Sequence, residues 1–144
     1  MKKRVYIFML LTWVCLCIPS CYDRNILDSK EGVSLPPVTG LEYTRSGDQV
    51  TLTWGIPSDI PPEISRPLSV NVQVLRYRPG VLSITRVDTH TLSGEPLTAS
   101  LTVPNEDNAG YEYHIVVKLT GHLKESVYGY SSQIFSLGQT IIIE

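Results

Sequence analysis

The stretch Gly110-Tyr111-Glu112-Tyr113-His114-Ile115-Val116-Val117-Lys118-Leu119 decides the fold. Tyr111, Tyr113, Ile115, Val117 and Leu119 fall at every second position, with Glu112, His114 and Lys118 opposite them. Successive side chains of a strand point to opposite faces, so this spacing predicts a strand with one face on a core and one in water. Working outward, Val50, Leu52 and Trp54 alternate within Gln49–Trp54, and Leu97, Ala99, Leu101 and Val103 within Leu97–Val103. Val, Thr, Tyr and Ile dominate these runs, which suits a pleated surface.

Two segments alternate less cleanly. Val70, Val72 and Val74 share one face, but Leu75 and Tyr77 share the other, which predicts a bulge near Val74-Leu75 or burial on both faces. Leu82–Leu92 is mostly polar and reads as an edge strand, where charge discourages unwanted pairing. Turn residues separate the runs: Ser46-Gly47-Asp48, Pro57 to Pro67, Pro79-Gly80, Ser93-Gly94-Glu95-Pro96, Pro104 to Gly110, and Gly121. About seven short strands with such turns predict an all-β fold, a β-sandwich.

Ahead of this pattern stands a different kind of sequence. Lys2, Lys3 and Arg4 precede an apolar run from Val5 to Ile18, then Pro19, Ser20 and Cys21. A basic end followed by a short apolar helix is the form of an export leader, and the run is shorter than the ~20 residues that span a bilayer. With Ile18 three positions before it and Ser20 just before it, Cys21 resembles the lipidated cysteine of bacterial lipoproteins. That resemblance implies cleavage before Cys21, lipid on Cys21 and an outer-membrane anchor. The expected organisation is residues 1–20 as signal peptide, 21–35 as a flexible polar tether and 36–144 as the sandwich.

Composition narrows the partners. Without Lys2, Lys3 and Arg4, nine Lys plus Arg oppose 14 Asp plus Glu, a net charge near −5. Such a surface repels phosphate backbones, which argues against nucleic acid. All three cysteines lie at or before Cys21, so the folded domain has no disulfide, no thiolate metal site and no thiol nucleophile.

From Pro36 to about Leu137 the chain resembles a fibronectin type III domain, of the immunoglobulin-like sandwich class. Pro36-Pro37-Val38-Thr39-Gly40-Leu41 and Val50-Thr51-Leu52-Thr53-Trp54 look like its first two strands. Leu75-Arg76-Tyr77-Arg78-Pro79 resembles strand C, Gly110 to Val117 strand F, and Tyr130-Ser131-Ser132 the start of strand G. The resemblance implies seven strands, Trp54 at the centre of the core and Tyr113 at the tyrosine corner. It also implies that the connections Gly55–Leu68 and Gly121–Tyr130 lie at one pole, where the N-terminus also emerges. Leader and size together resemble small lipoproteins of Bacteroidetes.

No residue pattern names a chemistry. His90, His114 and His122 lack a second histidine at ligand spacing, although Asp88 and His90 share a strand face. Glu106-Asp107-Asn108 offers about three oxygens where calcium takes six to eight. Neither a nucleophile elbow nor a phosphate-binding glycine loop is present. The expectation is therefore a non-enzymatic domain with no cofactor and no metal. Its candidate ligand-binding residues are Tyr128 and Tyr130 on one long connection and Asp59, Glu63 and Arg66 on the other. Three roles fit: a lipid-anchored binding or spacer module of the envelope, an accessory glycan-binding lipoprotein of a polysaccharide-uptake system, and a fibre or adhesion subunit. The partners implied are the membrane, through lipid, and a carbohydrate or an envelope protein.

Overall fold

The computed structural model describes residues 32–105, 110–125 and 131–143. Cys21, Tyr128, Tyr130, Glu106, Asp107 and Asn108, singled out above, lie outside the described residues.

The described residues form eight strands and no helix: β1 (Thr39–Ser46), β2 (Gln49–Gly55), β3 (Ile64–Tyr77), β4 (Ile84–Ser93), β5 (Thr98–Thr102), β6 (Glu112–Leu123), β7 (Gln133–Phe135) and β8 (Gln139–Ile143). They make two antiparallel sheets. One has the order β1-β2-β5, and the other β4-β3-β6-β7, with β8 also on β6. Val50, Leu52, Trp54 and Leu101 from the first sheet meet Val70, Val72, Val74, Tyr113, Ile115, Val117 and Leu119 from the second in one core. This is the arrangement of a β-sandwich. The edge position expected for the polar run is the place of β4.

The compact unit begins at Val33. Leu35 is buried and Val33 packs against the core, so the polar segment ends a few residues ahead of Pro36. Every described buried apolar residue falls within this unit, and a chain starting at Cys21 carries the whole core.

Three departures from plain alternation have local causes. The irregularity expected near Val74-Leu75 is there, but the extra residue is on the neighbour. Val74 pairs Asp88 and Leu75 pairs Arg86, which leaves Val87 of β4 unmatched while β3 and β6 stay in register. Leu75 and Tyr77 then occupy the outer face, half-buried.

The second departure makes eight strands of the expected seven. β7 pairs Thr120 with Phe135, whereas β8 pairs Val117 with Gln139, so one extra residue interrupts this edge. The interruption moves the inward positions from Ile134 and Ser136 to Ile141 and Ile143. Buried Ser136 bridges the gap: its Oγ accepts the Leu119 N–H at 2.8 Å and its own N–H donates to the Leu119 carbonyl at 2.9 Å. Gly138 is needed there, because a Cβ would sit 2.5 Å from Val116 Cγ1.

Third, Leu97 does not join the inward stripe of Ala99, Leu101 and Val103. It precedes β5 and is 55% exposed.

Candidate functional site

The β2–β3 connection and the end of β6 do share a pole. The Lys124 N–H donates to the Glu63 carbonyl at 2.9 Å, and Ile64 pairs with Leu123. Asp59 and Glu63 are exposed on this connection, while Ile60 packs on the core beneath them. The first connection is shorter than expected, because β3 starts at Ile64, and the second starts later, because β6 runs to Leu123. Arg66 thus belongs to a strand, as does His122.

Arg66 is also engaged elsewhere. Its Nε donates to Glu95 Oε1 at 2.8 Å and its Nη2 to Glu95 Oε2 at 3.2 Å. The Leu68 N–H donates to the same Glu95 carboxylate at 2.9 Å, and the Glu95 N–H donates to the Leu68 carbonyl at 3.0 Å. The need for this clip is local. The register of β3 with β6 breaks between Ser65 and Ser69, and Pro67 has no N–H to offer. Leu68 is fully buried at the break, and its backbone groups are satisfied by Glu95 in place of a neighbouring strand. Glu95 holds this position at a φ of 57°, in the left-handed region that glutamate seldom adopts. The adjoining turn is fastened to the core as well, since Trp54 Nε1 donates to the Pro96 carbonyl at 2.8 Å.

The Arg66 side-chain hydrogen bond, followed by the Leu68 N–H, holds the Glu95 carboxyl below its ordinary value of 4.5. A carboxylate with a depressed folded-state pKa contributes stability above its unfolded pKa and loses it as pH falls through the folded value. Wild type is therefore expected to lose stability to acid below about pH 4.5, and Glu95→Gln to start less stable at pH 7 with a flatter acid limb. Urea midpoints at pH 7 and pH 3 check this. Equal pH dependence in both proteins would leave Glu95 without the role described.

The outer face of the larger sheet presents polar side chains in register. Gln73 Nε2 donates to Asn71 Oδ1 at 2.9 Å, and Asn71 Nδ2 donates to Thr91 Oγ1 at 3.2 Å. Farther along the same face the Tyr77 and His114 rings lie 5.5 Å apart at 44°, and His114 Nε2 is 3.4 Å from Glu112 Oε2. Sequence reasoning placed ligand contacts on the connections and passed over this face. Its members alternate with core residues, so each looks like an ordinary solvent-side residue until the register of three strands is known.

Between the open edges of β4 and β5 runs a groove of about 380 Å³, lined by His90 to Ser93, Pro96 and Thr98 to Leu101. His90 Nε2 lies 2.9 Å from Asp88 Oδ2 there, both side chains being largely exposed. The shared face read from the sequence is thus a real pair. A metal centre takes more ligands than one such pair supplies. Among the described residues no three His, Cys, Asp or Glu side chains converge to hold a metal. Nor, among them, is any helix long and apolar enough to cross a membrane.

Of the candidate residues, then, Asp59 and Glu63 share an exposed connection and Arg66 is held by Glu95. No curated protein matches the chain. A family described as a domain of unknown function, DUF4945, matches residues 21–143. That match takes in every strand described above, and the chain belongs to the DUF4945 family.

Proposed function

We propose that the chain is a lipid-anchored, non-enzymatic binding or spacer module of the bacterial envelope, built on a fibronectin type III-like sandwich. The observation that carries this reading is the join of two unlike parts. Residues 1–20 read as an export leader ahead of Cys21, and a compact two-sheet unit begins at Val33 after a short polar segment. The strand order β1-β2-β5 over β4-β3-β6-β7 supports the type III likeness, with the last strand of that fold divided into β7 and β8. A spacer needs a stiff body, and β3 alone, with 14 residues, reaches ~46 Å from pole to pole.

Glycan binding is the second reading. The Tyr77–His114 pair on the same sheet face as Asn71, Gln73 and Thr91 favours it, because sugars take a ring to stack on and amides to bond with. On this reading the sugar lies on a sheet face and not on the connections. For the fibre reading, the apolar run Thr140–Ile143 pairs with β6, which uses one of its two edges.

The test is mass spectrometry of the protein extracted from membranes, with Cys21→Ala alongside. The expected mature chain starts at Cys21 and carries lipid, and Cys21→Ala abolishes the modification. More than one acyl chain is expected, because a single one holds only marginally. A mature chain starting elsewhere, or one that starts at Cys21 without lipid, contradicts the anchor. A glycan array with Tyr77→Ala then separates the sugar-binding reading from the spacer.

A further inference from the structure

The connection between β3 and β4 is the most exposed apolar feature among the described residues. Leu82 is 107% exposed, Ile84 64% and Val81 45%, with Val87 at 47% behind them. Pro79 and Gly80 make the turn, closed by the Val81 N–H to the Arg78 carbonyl at 3.1 Å. A large side chain at a turn has nothing to pack on and gains nothing for the fold by being apolar. The same twelve residues, Arg76 to Val87, hold three arginines and no acid, in a domain that is acidic overall. Arg78 and Arg86 are exposed on either side of the tip, and the Arg76 and Arg78 guanidinium groups lie 4.6 and 5.8 Å from the Tyr111 ring centre. The nearest acids on these strands face histidines: Asp88 lies against His90 and Glu112 against His114. Glu106 and Asp107 belong to the β5–β6 link, outside the described residues.

We propose that this hairpin is a docking element for an anionic lipid surface, with Leu82 and Val81 entering the acyl boundary and Arg78 and Arg86 meeting the phosphates. An apolar tip collared by cations matches a bilayer interface in depth order, since the headgroup charge lies outside the hydrocarbon. Arginine adds planar, multidentate bonds to phosphate. A protein partner is less well matched. A stable protein interface buries about 1,200–2,000 Å², and one turn with four apolar side chains supplies a small part of that. The hairpin and the N-terminal entry to β1 lie at opposite poles, because Thr39 pairs with Gly55 while Tyr77 pairs with Ile84 at the far end. The proposed contact therefore lies at the pole away from the start of β1, and it is tested without lipid on Cys21.

The experiment uses the chain from residue 21 with Cys21→Ser, which carries no lipid and keeps the whole core. Co-sedimentation is measured with vesicles of phosphatidylcholine alone and of equimolar phosphatidylcholine and phosphatidylglycerol. Binding is expected to the anionic vesicles and to weaken with salt. Leu82→Asp is expected to reduce it at least about tenfold, the scale of one buried leucine side chain. Arg78→Glu with Arg86→Glu removes the preference for phosphatidylglycerol, and Leu97→Asp, an exposed leucine beyond the other end of β4, changes nothing. Unaltered Trp54 fluorescence shows that each variant is folded. The proposal is overturned by absence of binding to either vesicle, by binding that Leu82→Asp leaves unchanged, or by a Leu82-dependent contact that forms only with a protein.

Discussion

Trp54→Ala is expected to destabilise the domain by ~3–5 kcal/mol, the largest effect of any single truncation in this fold. The indole is 4% exposed and packs among residues of both sheets. Its Nε1–H is the donor to the Pro96 carbonyl, so truncation empties a large volume and also frees an acceptor beside the Glu95 clip. A domain of this size has about 5–15 kcal/mol in total, so the variant is expected to be partly unfolded at 37 °C or to melt well below wild type. Once residues 1–20 are removed Trp54 is the single tryptophan, and its own fluorescence reports the wild-type site. Blue-shifted emission that iodide quenches poorly is expected; freely quenched, red-shifted emission in the native state contradicts the placement.

The second large effect separates the two faces of β6. Ile115 is fully buried in the central strand and pairs with Val74 on one side and Ile141 on the other. Ile115→Ala is expected to cost ~2–5 kcal/mol. Val116, the next residue, lies on the outer face against Gly138, and Val116→Ala is expected to cost about 1 kcal/mol or less. Chemical denaturation of both variants measures the contrast. Similar losses at the two positions would mean that β6 does not separate a core from solvent.

Much of this was legible because period-two alternation is a direct record of a two-faced sheet. The β2, β5 and β6 stripes gave Leu52, Trp54, Leu101, Tyr113 and Ile115 as core residues, and all five share one cluster. The polarity of Leu82–Leu92 marked β4 as an edge, and the phase conflict at Val74-Leu75 marked an irregularity. What alternation cannot show is which strand carries the extra residue. The conflict was visible in β3, yet Val87 of β4 supplies the bulge. The split of the last strand was hidden for a similar reason. Phe135, Leu137 and Ile142 are apolar but exposed, so they blur the parity change between β7 and β8.

The candidate site was less legible. Arg66 read as a loop cation free for a ligand, but its partner Glu95 is 29 residues away across a turn. Nothing in the local sequence links a Gly-Glu-Pro turn to a break in β3. Charged residues on connections record solvent exposure equally well when they serve binding and when they serve structure, and only pairing geometry separates the two. The outer-face cluster of Asn71, Gln73, Thr91, Tyr77 and His114 shows the same difficulty in reverse, because it exists only through the register of β4, β3 and β6.

β6 is the centre of the larger sheet, with β3 on one side and β7 and β8 on the other. That arrangement fixes the core, the polar outer face and the opposite poles. NMR cross-strand contacts test it most directly, read together with amide exchange. Contacts are expected between Val72 and Val117, between Val117 and Gln139 and between Thr120 and Phe135, with the slowest exchange in β3 and β6. Contacts that place Gln139–Ile143 against a strand other than β6, or fast exchange throughout β6, would contradict it.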